Sequence, residues 1–343
     1  MKKLVSVLFA LLLVGSFAFA ADPGISFGGW GRMLFNATSG GADVDDNMTS
    51  MGPSWAAGGR VKFSVAGNSD NVGFLTEVGS NGDGKIFVTD NAKIWVKFNE
   101  MFTVQAGRIK QDVLRGKVGD DAFYGDPDAV FQRFYPNAGL LLDVTPAEGV
   151  YIGAAIDAKE GAAYERTTEN AFKAIQLGAG YVIADLGHLR AQYIGNVDDA
   201  AKYINVAFAY TAMEGLLVDA GLKYQTEDKA GQSTVQIDSS YNKDALGLIV
   251  RLGASFGEDK DGDDLGYSAS WDLNYAVAAP LSVGFEGGMS MRGDDSLKLS
   301  VLPYGKAGYG NGYLKAGFQY ISLGKAVGDT TLWSLPIVLE YWF

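Results

Sequence analysis

Reactive side chains are scarce in this chain. Its 343 residues include no cysteine and a single histidine, which excludes thiolate metal sites, disulfides and a cysteine nucleophile. His188 stands in the segment Asp185-Leu-Gly-His-Leu189, with one acid nearby and no serine beside it. A general base needs a partner within hydrogen-bond reach, so His188 is read as a solvated turn residue and no catalytic residue is expected. The spaced acids of Gly257-Glu-Asp-Lys-Asp-Gly-Asp-Asp264 suggest calcium, but the later glycine and bidentate glutamate of an EF-hand loop are missing. That segment is read as a solvated acidic loop; neither a metal site nor a cofactor is expected. With 28 basic against 40 acidic residues and a formal charge of −12, the chain lacks the basic patch of a nucleic-acid binder.

Charge is concentrated between residues 105 and 158. Gln105-Ala-Gly-Arg-Ile-Lys110 opens the longest loop, 110–138, which carries Asp112, Asp120, Asp121, Asp126 and Asp128. Asp126-Pro127 is a helix start, an aspartate cap with proline at the first helical position. Val130, Phe131 and Phe134 on the same loop need an apolar surface to pack on, so the loop is not read as a simple external excursion.

The elements that position this loop alternate with period two. In Arg60-Val-Lys-Phe-Ser-Val65, the apolar Val61, Phe63 and Val65 oppose Arg60, Lys62 and Ser64; in Ala92-Lys-Ile-Trp-Val-Lys-Phe98, Ile94, Val96 and Phe98 oppose Lys93, Trp95 and Lys97. Such alternation means strands with one apolar and one polar face. Tight turns alternate with long polar loops, the construction of a transmembrane barrel. Counting forward gives 18 strands; the segment 234–241 is weakly patterned, so 16 is equally admissible. Runs of 10–13 residues match the roughly 9–11 that a tilted strand needs to cross a bilayer. The fold class is all-β, a transmembrane antiparallel barrel.

Residues 1–20 read as a secretory signal: Lys2 and Lys3, an apolar stretch from Leu4 to Val14, and Ala18-Phe19-Ala20 before the cleavage point. Residues 21–343 are then one barrel domain. The mean hydropathy of the full 343-residue chain, +0.04, is near what an average over a lipid face and a water face gives. At the C-terminus Leu335, Ile337, Leu339, Tyr341 and Phe343 alternate on one face, and an aromatic end suits an interfacial girdle.

This ending resembles the terminal-phenylalanine sorting signature of Gram-negative outer-membrane proteins, which implies recognition by the barrel assembly machinery. From about 88 to 158 the order Gly107-Arg108, long acidic loop, Arg133, Asn137, strand, Thr145-Pro-Ala-Glu-Gly149 resembles the general porins of Gram-negative bacteria. The resemblance implies a 16-stranded homotrimeric barrel whose long third loop folds into the lumen. It implies a transverse field between wall arginines (Arg60, Arg108, Arg133) and loop acids from Asp120, Asp121 and Asp126, with Asp128 beside them. Lys62, Lys93 and Lys97 share the polar face with Arg60, whereas strict alternation puts Arg108 toward lipid; a bulge at Gly107 or a position above the hydrocarbon is expected. The family's Pro-Glu-Phe-Gly-Gly type loop motif is not reproduced. The implied function is passive diffusion of ions and small hydrophilic solutes, in contact with outer-membrane lipid and lipopolysaccharide. The alternatives are a substrate-specific channel, with Trp30, Trp95 and Trp271 as an aromatic slide, and a structural or adhesive barrel without an open pore.

Overall fold

The computed structural model describes residues 24–41, 60–81, 85–118, 138–158, 166–197, 201–226, 232–257, 265–292, 297–323 and 330–343. It also describes 134, 136 and the short pieces 50–51, 53–54 and 56–57. Among these residues the strands are β1 (Gly24–Gly41), β2 (Arg60–Asn68), β3 (Val72–Asn81), β4 (Ile86–Lys97), β5 (Phe102–Arg108) and β6 (Gly139–Val144). There follow β7 (Val150–Asp157), β8 (Gln176–Ile183), β9 (Gly187–Ile194), β10 (Tyr203–Met213), β11 (Leu216–Gln225) and β12 (Ser233–Lys243). The last are β13 (Leu246–Phe256), β14 (Leu265–Ala278), β15 (Leu281–Arg292), β16 (Lys298–Tyr309), β17 (Gly312–Gly317, continued as Gln319–Ser322) and β18 (Thr331–Trp342). Each pairs antiparallel with its chain neighbours, and β18 returns to β1 with Trp342 opposite Trp30 and Leu339 opposite Met33. The result is a closed barrel of 18 strands, which leaves no sheet edge.

The direct count of 18, rather than the 16 of the family pattern, is what the chain forms. The weakly patterned segment became β12 because its backbone ladders are complete on both sides, from Lys223 opposite Thr234 to Phe256 opposite Ser233. One feature had no periodic signal: α1 (Thr168–Lys173), between β7 and β8. Thr167 caps it by accepting from the Asn170 amide at 3.2 Å, and none of its residues is buried. A helix without an apolar stripe leaves nothing for periodicity to detect.

Burial separates the two faces. Ile94, Leu140, Leu189, Val235, Leu252 and Leu339 are exposed on the outside, whereas Glu77, Asp143, Arg190, Asp238 and Glu286 are buried inside. An apolar belt of this extent is solvated by hydrocarbon, not water. Among the described residues no helix is long and apolar enough to cross a membrane; the crossing elements are the strands. Residues 1–20, read as the signal, lie outside the described residues.

Candidate functional site

Loop 110–138 starts by continuing the barrel ladder inward. Ile109 donates from its amide to the Pro136 carbonyl at 3.0 Å, and Gln111 and Phe134 exchange both backbone hydrogen bonds. Before this bridge the backbone turns at Gly107, whose φ of +118° is a conformation that side-chain-bearing residues adopt only under strain. Ile109 and Phe134 are fully buried with Leu114, Leu141, Tyr151 and Ala155 in an apolar cluster inside the barrel. The wall permits this because Gly153 of β7 and Gly178 of β8 carry no side chain: the Phe134 ring occupies the space of both absent Cβ groups, and Leu114 that at Gly178. Burying a phenylalanine and two aliphatic side chains stabilises the docked segment by about 1.5–3 kcal/mol each.

From this cluster the loop runs along the wall across β8 to β11. Arg190 of β9 donates to the Arg115 carbonyl at 2.7 Å and the Leu114 carbonyl at 3.3 Å, and forms a buried ion pair with Asp219 of β11. Asp219 uses its other oxygen to accept from the Lys117 amide at 2.7 Å. A guanidinium and a carboxylate, bonded to each other and to loop backbone, therefore clamp residues 114–117 against the inner wall. Burial first, and then the positive charge of Arg190, hold the Lys117 ammonium below its ordinary pKa, with Asp219 and Asp112 opposing.

His188 is not a solvated turn residue. The turn is completed by Asp185, at φ 59°, so Gly187 already begins β9 and His188 takes the lumen parity, 8% exposed. Its Nε2 lies over Gly180, 2.8 Å from where a Cβ would stand, in a chamber of about 1060 Å³ that Val113 and Lys117 also line. Lys117 and Arg190 are its charged neighbours.

The predicted basic wall is only partly basic. Lys62 projects inward but binds Glu77 at 2.6 Å and Asp90 at 3.3 Å; Asp90 also takes Lys110 at 3.0 Å, and Asn91 donates to Glu77 at 2.6 Å. Parity alone sends Asp90 toward lipid. It turns inward because β3 and β4 lose register between Thr76 opposite Ala92 and Val78 opposite Val88, setting three residues of β4 against one of β3. Arg60, at the start of β2, lies 5.8 Å from the Trp30 ring and 5.3 Å from that of Phe87. Lys93 stands opposite Gly107, and Lys97 is exposed near the short turn after β4. Arg108 pairs with Ala92 on the row of Ile94 and Ala106, the outward parity expected for it, one residue after the turned Gly107.

Arg133, Asp120, Asp121, Asp126, Asp128 and the helix start at Asp126-Pro127 lie outside the described residues, as does most of the acidic segment 257–264. Leu335, Leu339, Tyr341 and Phe343 are exposed on the outer face with Ile337 half-buried between them, and the Phe343 backbone pairs with Gly29. Of the three tryptophans, Trp30 and Trp95 share the inner rows of Lys62 and Gln105. Trp271 stacks on the outward Phe285 at 6.2 Å, so it belongs to the lipid face. Sequence reasoning missed Arg190, Asp219, Glu77 and Asp90. Charges at inward parity in mid-strand were an available signal for the first three.

No protein-family model matches the chain, and no curated protein matches it in sequence. Solved structures do match in fold. OccK3 (OpdO) of Pseudomonas aeruginosa superposes with a TM-score of 0.59 at 11% identity, over 97% of this chain and 99% of that one. The anion-selective porin of Comamonas acidovorans gives 0.55 at 11% identity, over 94% of this chain and 100% of its own. The chain has the porin fold. A trimer form of OmpT, an outer membrane protein of Vibrio cholerae, shares it at TM-score 0.52 and 13% identity, over 94% of this chain and 100% of that one.

Proposed function

We propose that this chain is an outer-membrane porin of a Gram-negative bacterium, conducting ions and small hydrophilic solutes through a water-filled lumen without catalysis or a cofactor. The observation that carries this reading is the docking of residues 109–118 inside a closed barrel, on the Arg190–Asp219 pair. A loop clamped to the inner wall narrows the lumen at fixed geometry, and narrowing with charged walls is how a diffusion pore selects by size and sign. The rest of loop 110–138 completes the constriction. Asp120, Asp121, Asp126 and Asp128 face the wall cations Arg60, Lys62, Lys93, Lys97 and Arg133 across it. The outward row from Leu335 to Phe343 serves as the assembly signal, residues 1–20 direct export, and the barrel assembles as a homotrimer in lipid and lipopolysaccharide.

Single-channel recording in planar bilayers tests the reading. Discrete conductance steps are expected, with a reversal potential displaced from zero under a salt gradient. A structural or adhesive barrel gives no steps, and their absence from pure, folded protein refutes the porin reading.

A further inference from the structure

The chamber of about 1060 Å³ that holds His188 lies between the docked loop and the short-turn end of the barrel, and three kinds of group line it. The loop supplies Lys117, whose side chain is exposed. Asp219 holds its backbone amide at 2.7 Å, which fixes where the side chain starts, and the ammonium reaches the Val113 carbonyl at 3.4 Å. A hydrogen bond that long is weak, so the ammonium can turn to a solute at small cost. The short turns supply acids. Glu100 stands between β4 and β5, Glu148 between β6 and β7, and Asp185 between β8 and β9, all exposed.

The third part of the lining is apolar. Val182, the register partner of His188, takes the inward parity and is 51% exposed. Leu217 of β11 and Val113 of the loop line the same space. One inward position farther along β9 and β11 the side chains are Arg190 and Asp219, so the apolar surface is confined to the chamber end of these strands. In a water-filled lumen such a surface is covered at a gain by a solute that carries an apolar side chain.

The charges then select the solute. A simple anion gains from Lys117 but meets the acids of the turns. A simple cation gains from those acids but meets Lys117, with Arg190 behind it. A solute that carries both charges, with apolar groups between them, finds a complementary group at each end. The volume stands at the top of the range for small-molecule pockets, about 300–1,000 Å³, more than one amino acid fills. We infer that this chamber is a subsite for short zwitterionic peptides with apolar side chains. Lys117 takes the terminal carboxylate, Glu100, Glu148 and Asp185 the terminal ammonium, and Val113, Val182 and Leu217 the side chains. The inference rests on the porin reading for its role in transport, though binding is measurable without it.

Detergent-purified barrel is titrated calorimetrically with leucyl-glycyl-leucine, its N-acetylated form, its C-terminal amide and triglycine, and the same peptides are added to single channels. The free tripeptide binds saturably and interrupts the current, and each of the other three is about tenfold or more weaker. Lys117→Gln keeps the backbone amide that Asp219 holds; the free tripeptide then binds no better than its C-terminal amide. The triple variant E100Q/E148Q/D185N erases the discrimination against the N-acetylated form and retains that against the amide. A general loosening of the loop would not match each variant to one end of the peptide. Lys223→Gln, which removes a cation outside the chamber, leaves all four affinities unchanged. No saturable binding of the free tripeptide, equal affinity for the four peptides, or variants that lower all four alike overturns the subsite. Conducting channels that bind no peptide remove the subsite and keep the porin reading. Peptide binding by a barrel that does not conduct keeps the subsite and removes the porin reading.

Discussion

The walls from β7 to β11 and from β12 to β17 use the same device and end differently. Both carry small residues on the inner face, Gly153, Gly178 and Gly180 in one and Gly253, Ser268, Ser290 and Ser270 in the other. The first hollow is filled by the chain's own Phe134 and Leu114; the second stays open. A bare glycine floor offers a docking apolar side chain no polar group to desolvate, so packing is favourable. A serine floor charges a desolvation cost to any apolar filler and stays wet. Small residues thus make space, and the polarity around them decides whether the chain's own apolar side chains fill it.

The largest test removes the clamp. Asp219→Ala leaves the Arg190 guanidinium buried without its carboxylate, a loss of about 3–5 kcal/mol, read as a lowered unfolding temperature. New protease cleavage within 112–118 is expected with it, and a larger conductance. Phe134→Ala is expected to cost about 3 kcal/mol by opening a cavity in the apolar cluster, with the same cleavage but a smaller conductance change. If the loop stays protected in both variants, something other than these groups holds it.

Gly178→Ala is next: its Cβ enters the space of Leu114 and Phe134, an overpacking of about 1–3 kcal/mol by thermal unfolding. Serine to alanine on the other wall sharpens the contrast, because Ser290→Ala borders open volume and is expected to change stability by no more than about 0.5 kcal/mol. Equal effects at 178 and 290 would remove the distinction between a filled and an open wall.

Lys117 gives the smallest effect, and its sign is fixed. The docked loop holds this ammonium less tightly protonated than the free loop does, so docking releases protons. It strengthens as pH rises through the interval just below the ordinary lysine value and levels off above it. Protease protection measured against pH follows this rise in the parent and is flat in Lys117→Met.

Much of this molecule is legible in its residue pattern, and the places where it is not are of one kind. Alternation placed Lys62 and Lys93 inside and the row from Leu335 to Phe343 outside, because strand parity is a local property that every second residue repeats. It could not have placed Asp90, since a register shift is decided jointly by two strands. It misread His188, since where a turn stops depends on the backbone of Asp185 and the pairing of Gly187. It passed over α1, a short capped helix with no face to bury. The sequence by itself therefore determined the strand pattern and the two faces, which follow from periodicity, and left the strand count open between 16 and 18. Only the tertiary structure decided that Arg190 and Asp219, 29 residues apart, meet under a loop from two walls away. Closure of the sheet also left one small-residue floor filled and another open. Those outcomes depend on which rows come into register around the barrel, and no single strand carries that information.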